Sequence, residues 1–102
     1  MRTTAWSNGS PSRSGAGYGL RISRADRDHA FKRDWAGIIV DLPGQGPATI
    51  RLSDSFWRNC SELRSSSLGR WMMTIGLAPW PRGEPPAIEL VHVSDNRFTL
   101  RP

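Results

Sequence analysis

The sequence predicts an α+β fold, a mostly antiparallel sheet of about five strands with one short N-terminal helix and a broken two-part helix packed on one face. Three observations carry this. Apolar and polar residues alternate over 18–23 and again over 48–53, the period of a half-buried strand. Trp57, Cys60, Arg64, Leu68, Trp71 and Ile75 recur at helical spacing between those strands and two more near the C-terminus. Strands and helices do not follow one another in the regular rhythm of parallel crossovers. The element order is therefore β-α-β-β-α-α-β-β, within one domain over 18–102.

Residues 1–17 are Ser, Gly, Thr, Asn and Arg with Trp6 as the only large apolar side chain, so a disordered basic arm is expected. Gly15, Gly17 and Gly19 follow a polar tail and no strand, which argues for a linker over a dinucleotide-binding turn. From Tyr18 the pattern changes. Tyr18, Leu20 and Ile22 form one strand face, and Ser23 can cap a short helix that carries Arg24, Arg27, Lys32 and Arg33. That helix has only a thin apolar edge and belongs on the surface. WAGIIVDL, at 35–42, is β-branched and apolar on nearly both faces, as a central strand requires. PGQGP turns the chain, and Ala48, Ile50 and Leu52 mark the inner face of a hairpin partner.

Residues 53–86 hold three of the five tryptophans and form the centre of the expected core. Serines 65–67 and Gly69 are poor helix formers, so two helices are expected, roughly 54–64 and 67–75. Ser53 or Asp54 would cap the first and Ser66 or Ser67 the second, with Gly76 ending it. Pro79, Pro81, Pro85 and Pro86 then make a stiff extended loop around Trp80. AIELVHV and RFTL, joined by an SDN turn, supply the last two strands, with Phe98 and Leu100 inward.

Charge is distributed unevenly. The 102 residues carry thirteen arginines and one lysine and a net charge of +5. Seven basic and two acidic groups lie in residues 1–33, which therefore hold the whole excess, while 34–102 carry seven of each sign. Arginine richness fits a GC-rich genome as readily as a polyanion partner, but its position anchors any such partner at the N-terminal end.

Nothing in the sequence points to catalysis, a cofactor or a metal. His29 and His92 have no spaced partners, Cys60 falls on the inner side of a helix, and two histidines with one cysteine lack a zinc spacing. One cysteine, no signal-like apolar run and no run of about eighteen apolar residues suit a soluble cytoplasmic protein. A small binding module remains. Arg21, Arg51, Arg97 and Arg101 should share the outer sheet face with Ser23, Thr49 and Thr99, continuous with Arg24, Arg27, Lys32 and Arg33, and guanidinium forks suit phosphate. An ordinary solvated face would contain the same residue types. DNA is favoured over RNA because no aromatic strand motif of the common RNA-binding kind is present. The alternative is a protein-interaction domain in which Trp80 and Arg82, on the rigid loop running to Pro86, anchor a partner.

Overall fold

Strand alternation in the sequence becomes strand in the computed structural model, which describes all residues from Met1 to Pro102. The five expected strands are β2 (Tyr18–Arg21), β3 (Gly37–Leu42), β4 (Gly46–Arg51), β6 (Ala87–Ser94) and β7 (Arg97–Arg101). Two more accompany them, β1 (Arg2–Ser7) and β5 (Glu62–Arg64). All seven belong to one sheet in the order β4-β3-β7-β6-β1-β2-β5. Neighbours are antiparallel except β3 and β7, which run parallel with Val40 opposite Phe98. The mostly antiparallel sheet of about five strands is thus replaced by a mixed, seven-stranded sheet that curls into a nearly closed barrel.

Each difference has a physical reason. In β1 the inward residues are Thr3 and Ala5, both buried, and neither is hydrophobic enough to advertise a strand. The Thr3 hydroxyl donates to the Ile88 carbonyl at 2.7 Å, which satisfies the one polar group that the strand takes inside. The expected disordered arm therefore contributes a strand between β6 and β2, with Ala5 opposite Leu20 and Thr3 opposite Ile88. β5 is only three residues long and buries only Leu63. Its flanking residues happen to sit at helical spacing, and this concealed it. The parallel β3–β7 pair joins segments far apart in sequence, beyond the reach of hairpin logic.

The first two helices are shorter than their patterns suggested, and the third has the expected length. α1 spans Arg24–Ala30, and its N-cap Ser23 accepts from the Asp26 amide at 3.1 Å. α2 is only Asp54–Arg58, and α3 is Ser66–Thr74, with Ser65 and not Ser66 or Ser67 accepting the capping bonds from the Ser67 and Leu68 amides. The helices do not roof one sheet face. The curled sheet encloses its own inner face, where Leu20, Ile38, Val40, Ile50, Leu63, Ile88, Leu90 and Phe98 are at most 1% exposed. α3 adds Leu68, Trp71 and Met72 to the same core, packing beside β2.

The loop between β1 and β2 is ordered by a close crossing over α3. Gly15, at φ +93°, lies directly on Gly69; a Cβ on either glycine would run into backbone of the other segment. Arg70 reinforces the crossing by donating to the Ser14 carbonyl at 2.9 Å. On helix propensity alone Gly69→Ala would stabilise α3 by about 1 kcal/mol. The crossing reverses the sign: Gly69→Ala is expected to lower stability by about 1–3 kcal/mol through overpacking. Thermal unfolding reads this as a Tm drop of roughly 4–8 °C per kcal/mol. A raised Tm would show that the loop does not rest on the helix.

Candidate functional site

Outward-facing residues of β1, β2 and β5 line up across the ladder. Thr4 lies opposite Arg21, and Arg21 opposite Glu62. Arg2 is two positions before Thr4 on the same face of β1, opposite Glu89. Beyond Arg21 the chain leaves β2 through Ile22 and enters α1 at Arg24, so the side chains of Arg2, Arg21 and Arg24 come to line one cleft of about 550 Å³. Ser23 and Ser61 lie in the same wall; the Ser61 hydroxyl donates to the Ile22 carbonyl and ties β5 to the β2 exit.

The electrostatics of the cleft are set by Glu62. Its carboxylate is only 7% exposed and is gripped from both sides, by Arg21 through Nη2 at 2.9 Å and by Arg64 through Nη2 at 2.9 Å. One carboxylate between two guanidiniums leaves positive charge over and holds Arg21 in place. The side chains of Arg2 and Arg24 make no hydrogen bond or ion pair within the protein, so their donors are available to a ligand. Arginine forks with hydroxyls around a cleft of this size suit phosphate oxygens.

The remaining residues singled out in the sequence are scattered. Arg27 is not a surface cation: it is 7% exposed, donating through Nη1 to the Phe56 and Trp57 carbonyls at 3.2 and 3.0 Å and through Nε to Asp28 at 3.0 Å. It caps the C-terminal end of α2 and fastens α1 to it. Arg33 lies over the Trp57 ring, 4.8 Å from its centroid. Lys32 borders a separate hollow with His29, Trp35, His92 and Asp95. Arg97 forms a bidentate pair with Asp41, at 2.7 and 2.6 Å, across the parallel β3–β7 ladder. Those hydrogen bonds, and then the Asp41 charge, raise the Arg97 pKa above its ordinary value, so it stays ionised at any working pH. Arg51 ends β4 and Arg101 ends β7, opposite Glu89. All four sheet arginines sit at outward positions of their strands, but of the four only Arg21 lines the cleft. The structure thus unites Arg21 and Arg24, and adds Arg2, which the sequence had left in a disordered arm.

Trp80 is half-buried and packs against Tyr18, with ring centroids 5.7 Å apart, while Arg82 on the same loop is exposed. Cys60, expected inside, is exposed at the rim of the arginine cleft, because the chain leaves helical geometry at Asn59. His92 bonds through Nε2 to the Asp95 carbonyl at 2.6 Å and to no carboxylate. No three His, Cys, Asp or Glu side chains cluster closely enough to hold a metal ion, and no helix is long and apolar enough to cross a membrane. No protein-family model, curated protein or solved structure matches this chain.

The different roles of neighbouring arginines are measurable. Arg27→Ala leaves two helix-end carbonyls and Asp28 without their donor and should cost about 2–3 kcal/mol in urea unfolding. Arg24→Ala, at an unpaired exposed site, should stay within about 0.5 kcal/mol of the parent. Equal effects would contradict the assignment of Arg27 to the frame and Arg24 to the cleft.

Proposed function

We propose that this protein is a small non-enzymatic nucleic-acid-binding module, with DNA as the first expected ligand, that grips the phosphate backbone in the cleft of Arg2, Arg21 and Arg24. The observation that carries the reading is that three arginines line one cleft whose single carboxylate, Glu62, is already shared between Arg21 and a fourth, Arg64. Lys32, Arg33, Arg51 and Arg101 are exposed and contribute to the wider positive field; Arg27 and Arg97 are committed to internal partners and are left out of the contact set. A cytoplasmic setting belongs to the same proposal. The protein-interaction reading would rest on Arg82 and the exposed side of Trp80; the packing of Trp80 on Tyr18 weakens its case as an anchor.

Backbone contact through about three phosphates has a definite salt signature. Affinity should fall roughly 20-fold for single strands and 40-fold for duplex between 50 and 200 mM salt, following counterion release. Fluorescence anisotropy with labelled DNA and RNA measures this. The double variant Arg2→Ala/Arg24→Ala should flatten the log–log slope by about 1.5, whereas Arg51→Ala, outside the cleft, should barely change it. If neither single-stranded nor duplex DNA or RNA binds at 50 mM salt, the proposal fails.

A further inference from the structure

Beside the arginine cleft lies a second hollow, of about 370 Å³, and it has a different chemistry. Trp6 and Arg64 form its flat walls, and Asn8, Ser65 and Ser66 its polar rim. We infer that this hollow receives an unpaired nucleobase, which makes single-stranded nucleic acid the ligand; the inference rests on the phosphate-binding reading of the neighbouring cleft.

Register fixes the relation between the two hollows. Trp6, Gly19 and Arg64 form one row across β1, β2 and β5, and Thr4, Arg21 and Glu62 form the next. Both rows face outward, and two residues along a strand separate them by roughly 6.8 Å. Glu62 spans the rows, holding Arg21 on the phosphate side and Arg64 on the aromatic side. A backbone lying along the Arg21 row therefore has an aromatic surface within reach of the base attached to it.

The aromatic row is built as a platform. Gly19 has no side chain to occupy the space between Trp6 and Arg64, and a Cβ there would strike the Leu63 backbone, so the two flat groups meet across it. The Arg64 guanidinium carbon lies 4.8 Å from the Trp6 ring centroid, and Glu62 fixes its other side. Bases stack on such aromatic rings and on guanidinium planes alike. At the rim, Asn8 uses its Oδ1 to accept from the Ser10 amide at 2.9 Å, which leaves its NH₂ to donate to a base edge. Only a base freed from pairing can offer its face; in a duplex the faces are covered by neighbours and only the edges are exposed in the grooves.

The test uses the full chain and three labelled probes of equal length at one salt concentration: a deoxythymidine strand, an abasic strand with the same phosphates, and a duplex. The deoxythymidine strand should bind more tightly than both others. Trp6→Ala should lower its affinity roughly 5- to 150-fold, the range carried by one base–aromatic stack, and leave the abasic strand unaffected. Ultraviolet cross-linking of a 5-iodouracil strand to the unaltered chain provides a variant-free readout, expected to label Trp6. Equal affinity for base-bearing and abasic strands, preference for duplex, or labelling elsewhere overturns the inference while leaving phosphate binding intact. Failure of all three probes to bind brings down both readings together.

Discussion

The structure depends on the insertion of β1 between β6 and β2. Without it the sheet order breaks into β4-β3-β7-β6 and a two-stranded β2-β5 remnant, and a two-stranded piece has little stability of its own in water. The bonds that hold β1 are distributed along its length. Leu90 donates to the Met1 carbonyl at 2.8 Å, Thr3 to the Ile88 carbonyl, and Ala5 to the Pro86 carbonyl at 2.9 Å. Its inward residues are small, and that lets the large side chains around them, Leu20, Leu63, Ile88 and Leu90, close over the interior.

The same strand serves the proposed interface. Thr3 and Ala5 point into the barrel while Arg2, Thr4 and Trp6 point out, so alternation along six residues serves core and surface at once. Arg2 reaches the arginine cleft and Trp6 the neighbouring hollow only because Ala5 is in register with Leu20. A slip by one residue would bury the arginine and the tryptophan and expose the threonine and the alanine. Fold and proposed function therefore share one register, and Glu62 transmits it to the charged side chains by holding Arg21 and Arg64 together.

Legibility in the sequence followed the strength of the local signal. β2, β3, β4, β6 and β7 all bury apolar residues in alternation, and the Ser23 cap of α1 stands directly before its helix. β1 was illegible because its inner face is a threonine and an alanine, and the hydroxyl's partner, Ile88, lies 85 residues away. β5 was illegible because Leu63, Arg64 and Leu68 continue a helical spacing that the chain abandons at Asn59. For the site, the outward direction of Arg21, Arg51, Arg97 and Arg101 followed from alternation, but their convergence did not. Only Arg21 of the four lines the cleft, Asp41 claims Arg97, and the helix-end carbonyls claim Arg27. Arg2 could join the cleft only once β1 was known to be a strand.

The central claim is that residues 2–7 are an integral strand and not an arm, and native-state hydrogen exchange of their amides tests it directly. The Ala5 amide, bonded to Pro86, should exchange only through global unfolding, with the same free energy as amides in β3 and β7. Exchange of the Ala5 amide orders of magnitude faster than those core amides would show that β1 frays independently, and would contradict both the barrel and the interface built on it.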